Sequence, residues 1–303
     1  MMPPYSSHFN HTNDEFFMAN ELIIKDYYDP DTGTFSYLLA DASSSECIVI
    51  DPVLGFDMVS AHTSMQPSEQ LISDIEQNGW TLSWILETHA HADHLTSAQQ
   101  LKDRFNAKVA IGTGITAIQK NFKSIYQFDD DYDTNGKAFD HLLSDGDTLT
   151  FGEFTVEVIA TPGHTSDSLT YKVGKHLFIG DTLFHPEIGS ARCDFPGGDA
   201  GLLFQSIDKL LSFGDDAVLC LCHDYPEGDR PPRAFFTVEE MKNTNIHLKQ
   251  AGHDPVEFKS IRDERDADLD LPKLIIPSIQ VNTQAGLELE QPNLGLKWPI
   301  NRF

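Results

Sequence analysis

Thr88-His89-Ala90-His91-Ala92-Asp93-His94 packs three imidazoles and one carboxylate into six residues, directly after the run 81–88 that reads as a strand. A lone histidine says little, because most are hydrogen-bonded loop or core side chains. Neutral imidazoles with a carboxylate, however, form a ligand set for zinc or non-haem iron, and a turning loop can aim alternate residues at one point where a regular helix cannot. The helical His-Glu-x-x-His signature is absent, so the metal architecture is of another kind.

Outward from this stretch, three more candidates follow apolar runs: His164 in Thr161-Pro162-Gly163-His164, Asp181 in Gly180-Asp181-Thr182, and His223 after Leu219-Cys220-Leu221-Cys222. Functional groups gather where the strands of layered α/β proteins end, so four strand ends can present these side chains to one cleft. Pro162 and Gly163 supply a tight turn to hold His164 there. His8, His11, His62, His141, His176, His185 and His253 lack such context and read as surface or core residues.

The intervening chain reads as alternating strands and helices. Strands are expected over 34–40 and 47–50, where Asp51-Pro52 stops the run, and over 81–88, 108–111 and 217–222. Two hairpin-like pairs follow the acidic loop 129–133: 148–151 with 155–160, and 169–173 with 176–179. Helices are expected from Ser68 as a cap to Gly79, over 97–105 and 115–122, and over 202–211. Thr237-Val238-Glu239-Glu240 is a capping-box pattern that opens a helix toward Gln250, and an acidic, proline-punctuated tail follows. Residues 1–20 read as a poorly ordered arm, 21–236 as a catalytic core and 237–303 as an extension on the same unit. The expected fold class is α+β, an αββα sandwich of two mixed sheets with outer helices.

The 303 residues carry 47 Asp+Glu against 21 Lys+Arg, a formal charge of -26. So negative a surface repels phosphate backbones and anionic membranes, which argues against nucleic acid and membrane surfaces as partners. The four cysteines are too few for a disulfide framework, and Cys220 and Cys222 read as buried hydrophobes. No apolar run reaches signal or transmembrane length, so a soluble cytoplasmic protein is expected.

The order His-x-His-x-Asp-His, then His, Asp and His, resembles the metallo-β-lactamase superfamily, and its glyoxalase-II-like branch in particular, from about Leu22 to His247. That motif is specific for fold and metal binding but does not choose the reaction. The flanks are similar to the persulfide dioxygenases: Gly180-Asp181-Thr182-Leu183, Arg192-Cys193-Asp194-Phe195, His223-Asp224-Tyr225 and Thr237-Val238-Glu239-Glu240. The tail Leu274-Ile275-Ile276-Pro277-Ser278-Ile279-Gln280-Val281-Asn282 resembles a bacterial branch labelled β-lactamase-like hydrolase.

The resemblance implies one Fe(II) held by His89, His164 and Asp181, with open coordination positions where a persulfide and O2 meet, and glutathione persulfide as substrate. It implies that His91, Asp93, His94 and His223 make the second metal position of two-metal relatives, or else orient the first. One or two Zn(II) and a thioester hydrolase of the glyoxalase-II type are the alternative. Arg192, Asp194, Tyr225 and His247 fall in regions that meet the thiol carrier. His247 stands where animal relatives carry arginine, a weaker and pH-sensitive anion partner. A homodimer is also suggested.

Overall fold

The computed structural model describes residues 21–287; the expected N-terminal arm and the last part of the tail lie outside them. The strands are β1 (Leu22–Asp29), β2 (Thr34–Asp41), β3 (Glu46–Ile50), β4 (Val53–Asp57), β5 (His62–Ser64), β6 (Thr81–Leu86), β7 (Leu95–Thr96), β8 (Lys108–Gly112), β9 (His141–Leu143), β10 (Thr148–Phe151), β11 (Phe154–Ala160), β12 (Leu169–Val173), β13 (His176–Phe178), β14 (Val218–Cys220) and β15 (Phe235–Thr237). The helices are α1 (Glu69–Asn78), α2 (Ala98–Phe105), α3 (Ile115–Tyr126), α4 (Ala200–Leu211), α5 (Val238–Thr244), α6 (Ile246–Ala251), α7 (Pro255–Asp266) and α8 (Ile275–Asn282).

Two six-stranded sheets run in the orders β1-β2-β3-β6-β8-β9 and β10-β11-β12-β13-β14-β15. Both are mixed: β3, β6, β8 and β9 pair in parallel, as do β13 and β14, and the remaining pairs are antiparallel. Strand β2 explains why they stack. All eight of its residues are buried, and its alternate side chains point to opposite faces. Phe35, Tyr37 and Leu39 meet Phe151, Val158, Tyr171 and Phe178 of the other sheet. Leu38 and Ala40 face outward, in the layer with Leu71 and Ile75 of α1, Leu101 of α2 and Ile118 of α3. On the far side, Leu177, Ile179 and Leu219 are covered by Leu203 and Ile207 of α4, Met241 of α5 and Phe258 of α7. The expected αββα sandwich is the fold.

Several local readings change. Strand β1, not read from the sequence, pairs along its full length with β2. Ser68 precedes α1 but does not cap it: its hydroxyl donates to Val53 O at 2.7 Å instead. Gly79 does close α1, in the left-handed conformation. Thr237 accepts from Glu240 N and opens α5 as expected, yet the helix breaks at Asn245. There the buried Asn245 side chain accepts from His247 N and Leu248 N and restarts the chain as α6. The tail holds two further helices. Asp254-Pro255 starts α7 with an N-cap and proline in the first turn, and α8 joins the opposite outer layer through Ile275 and Ile279.

Candidate metal centre

Each candidate ligand leaves the sandwich at a strand end. His89, His91, Asp93 and His94 follow β6, His164 follows β11, Asp181 follows β13 and His223 follows β14. Two glycines permit the approach. Gly163 has φ 143°, and a Cβ there would stand 2.3 Å from the Leu203 backbone, so only glycine lets α4 lie against the His164 turn. Gly180, at φ 49°, presses on Thr88, where a Cβ would come within 2.8 Å of the hydroxyl.

These turns bring the seven side chains into overlapping groups, two of which share Asp181. His89, His164 and Asp181 offer ligand atoms within 4.8 Å of one another, as do Asp93, Asp181 and His223. Asp181 is the hinge: its Oδ2 lies 3.9 Å from His89 Nε2 and 3.6 Å from His164 Nε2, and its Oδ1 3.4 Å from His223 Nε2. Asp93 Oδ2 is 3.3 Å from His223 Nε2. His91 and His94 close a further group with Cys222 and His223.

An outer ring of polar contacts orients the imidazoles. His164 Nδ1 donates to Arg192 O at 2.8 Å, which leaves Nε2 free as a lone-pair donor. Thr88 Oγ1 stands 3.1 Å from His89 Nδ1, and Thr34 Oγ1 3.3 Å from His223 Nδ1. Asn282, at the end of α8, donates to the carbonyls of His91 and His94 and accepts from Thr96 N, clamping the ligand loop from the tail.

Three buried carboxylates behind the loop were not singled out from the sequence. Asp51 accepts from Thr88 N and Thr88 Oγ1 and lies 3.0 Å from His91 Nε2, which Glu87 approaches at 3.5 Å from another side. Asp167 accepts from Ala90 N. Asp51 also takes φ 48°, a left-handed conformation that costs on the order of 1 kcal/mol and is held by its neighbours. The available signal was its place after β3, which reads equally as an ordinary strand stop. Asp51→Ala is expected to destabilise the metal-free protein by about 3 kcal/mol, because it strands a buried imidazole and two donors of Thr88. Urea unfolding checks this, with Asp51→Asn as the milder comparison; a loss under about 1 kcal/mol would contradict the role.

His89, His94 and Asp93 have the protonation pattern that metal binding needs. Burial and the neighbouring His91 and His164 rings hold His89 well below its ordinary pKa, while burial and His91 push His94 down to about 3. Burial works to raise Asp93, but the His223 and His94 imidazoles bring it down to about 2. Neutral rings beside ionised carboxylates are donors without competing protons. His91 is the exception: Asp51 and Glu87 outweigh burial and raise it well above the ordinary value.

Nε2 of His89, His94 and His223 and Oδ1 of Asp181 are buried without a hydrogen-bond partner. Isolation of this kind costs about 1–3 kcal/mol per group, and coordination to a cation removes it. The donors therefore fit a metal, and the His/Asp cluster is a metal-binding site.

A cavity of about 1220 Å³ reaches the cluster at Asp93, His164 and Asp181. Tyr225 lines it, partly exposed, with its ring stacked on His223 at 5.8 Å between centroids. Arg192 lines it as well, but its guanidinium is engaged: it donates twice to Asp194, once to Asp270 O, and lies over Phe195. Asp194 itself is taken up by that pair. His62, given no role from the sequence, lines the mouth from β5. The four cysteines are unpaired, and Cys220 and Cys222 are buried as read.

His247 is not brought to the cavity surface. It is 2% exposed, and its Nδ1 accepts from Ser190 N at 2.9 Å. Burial, with Arg262 and Arg265 nearby, lowers its pKa to about 4. A depressed histidine pKa means that the unfolded chain binds the proton first, so this group's stability is complete above about 6.5 and lost as pH falls toward about 4. His247→Asn, which retains an acceptor for Ser190, should flatten the fall of Tm with acidity in that window. Parallel slopes in parent and variant would refute this.

Among the described residues no helix is long and apolar enough to cross a membrane. Residues 29–223 match the Metallo-beta-lactamase superfamily. The chain is 42% identical over 282 residues to a "Beta-lactamase hydrolase-like protein" of Xylella fastidiosa, covering 92% of this chain and 64% of that protein; it thus spans less than two thirds of the relative's length. It is 26% identical to the mitochondrial "Persulfide dioxygenase ETHE1" of Homo sapiens, over 88% of this chain and 90% of that one. The crystal structure of ETHE1 from Myxococcus xanthus superposes with a TM-score of 0.70 at 27% identity, covering 87% of this chain and 99% of that chain. With the sandwich, the strand-end ligands and these matches in agreement, the chain belongs to the metallo-β-lactamase superfamily.

Proposed function

We propose that the chain is an iron-dependent persulfide dioxygenase that converts glutathione persulfide, O2 and water into glutathione and sulfite. The observation that carries this reading is the grouping of His89, His164 and Asp181, two imidazoles and one carboxylate beside a cavity large enough for a tripeptide thiol. Likeness to the persulfide dioxygenases over most of the chain supports it. Fe(II) bound by these three residues supplies the redox chemistry by which the sulfane sulfur gives four electrons to O2. The protein's own part is placement. The Arg192 carbonyl holds the His164 ring, Phe184 and Phe195 help to keep water from the cavity, and Tyr225 offers its hydroxyl to the thiol sulfur. Arg192, held by Asp194, shapes the wall against the carrier, and His247 supports that wall from behind through Ser190.

A second reading, a binuclear thioester hydrolase, is favoured by the unpartnered Nε2 atoms of His94 and His223 beside Asp93. Two metals there would supply an activated hydroxide. Paired assays separate the readings. Equal amounts of O2 consumed and sulfite released from glutathione persulfide support the dioxygenase; rapid hydrolysis of S-lactoylglutathione without persulfide-dependent O2 uptake replaces it with the hydrolase.

A further inference from the structure

The loop 189–198 carries none of the candidate ligands, yet Arg192 O within it accepts from His164 Nδ1 at 2.8 Å. That carbonyl and the Cys193 N–H belong to one planar peptide unit, so whatever fixes the N–H fixes the carbonyl. Asp266 of α7 does so: its Oδ2 accepts from Cys193 N at 2.9 Å. A carboxylate thus meets one edge of the peptide and the imidazole meets the other. The next carbonyl is confined as well, since a Cβ at Gly198 would stand 2.2 Å from Cys193 O.

Asp266 is buried and is held in turn. The buried Arg262 pairs with its Oδ1 and donates to Ser190 O at 2.9 Å, on the other side of Arg192. A buried ion pair often stabilises no more than apolar side chains of the same volume, so stability alone does not explain this one. Its distinctive feature is that both partners bind loop backbone. Two other imidazoles of the cluster end on carboxylates in the same manner. His89 Nδ1 meets the Thr88 hydroxyl, which donates to Asp51, and His223 Nδ1 meets Thr34, which is linked through Thr32 to Asp29. Behind His164 the intervening neutral group is a peptide unit.

We propose that Asp266 is a positioning residue for the candidate ligand His164, acting through the Arg192–Cys193 peptide. Its charge strengthens the Arg192 carbonyl as an acceptor, because hydrogen bonds in series polarise one another where the dielectric is low. The stronger acceptor keeps the proton on Nδ1, aims the Nε2 lone pair at the cluster and makes that nitrogen a better donor. The inference concerns the metal centre and holds whichever reaction that centre performs.

Two double variants of the full chain test it. Both carry Arg262→Met, so that no buried charge is left unpaired; Asp266→Asn keeps an acceptor for Cys193 N, and Asp266→Leu removes it. Long-range proton–nitrogen NMR of the apo-protein at about pH 8, where imidazole is neutral, reads the His164 tautomer. Chelator competition reads Zn(II) affinity. The parent should hold the Nδ1–H tautomer, the Asn variant should hold it less, and the Leu variant should shift toward Nε2–H. The Leu variant should also bind Zn(II) about tenfold more weakly than the Asn variant, the low end for losing a partner that orients a ligand. A parent with the His164 proton on Nε2, or variants alike in tautomer and affinity, would overturn the proposal. Weaker zinc binding with the tautomer unchanged overturns it too, since a packing defect would suffice for that. If the Leu variant does not fold, the Asn variant against the parent decides: a weaker Nδ1–H preference supports the bridge, and an unchanged tautomer defeats it. Turnover is not read, so failure of the dioxygenase assay leaves this result standing.

Discussion

Loaded with Fe(II), the protein is expected to consume O2 in the presence of glutathione persulfide and to release sulfite, whereas the Zn(II)-loaded protein stays at the background rate. The contrast follows from the donors. Neutral imidazoles and a carboxylate accept either ion, but zinc has no accessible redox change and iron does. Because the ligands, cavity and fold are identical in the two preparations, any difference belongs to the ion. An oxygen electrode with a sulfite assay on each preparation measures it, and metal analysis confirms occupancy. If the zinc form hydrolyses S-lactoylglutathione rapidly while the iron form shows no persulfide-dependent uptake, the dioxygenase proposal fails.

Asp181→Ala is expected to remove the metal and, with it, turnover. Asp181 approaches His89, His164 and His223 with its two oxygens and so belongs to both ligand groups. Loss of affinity should exceed about 100-fold, the upper range for losing a residue that merely orients a ligand. The metal-free variant should nonetheless fold, because the change removes a buried unpartnered oxygen instead of creating one. Metal content and the unfolding midpoint of apo-protein, measured together, distinguish metal loss from misfolding. His91→Ala and Asp93→Ala should retain one equivalent if a single position is filled. Two equivalents in the parent, one of them lost in Asp93→Ala, would defeat the mononuclear form of the proposal.

The ligands were legible because their signal is local: a dense His/Asp cluster after an apolar strand, and single polar residues just past other strands, stand out from any background. The sandwich was legible for a related reason, since alternating burial in β10 and β11 and helical spacing in α1 and α3 follow from backbone geometry. The helix break at Asn245 was not, because it depends on Gly189 supplying a carbonyl to the Asn245 amide from 56 residues away. Asp51, Glu87 and Asp167 were missed for the same cause. A buried carboxylate at a strand end has the same sequence signature as a solvated one, and only the packed core decides which partners it meets.

By itself, then, the order of residues determined the sandwich, the His/Asp cluster and the superfamily, because periodicity and ligand clustering are written in neighbouring positions. The tertiary structure alone decided how those ligands divide about Asp181, that His247 lies behind Ser190, and that Asn282 clamps the ligand loop. The physical reason is that such facts depend on which distant segments share a layer, and the long-range packing that brings them together leaves no mark on the residues nearby.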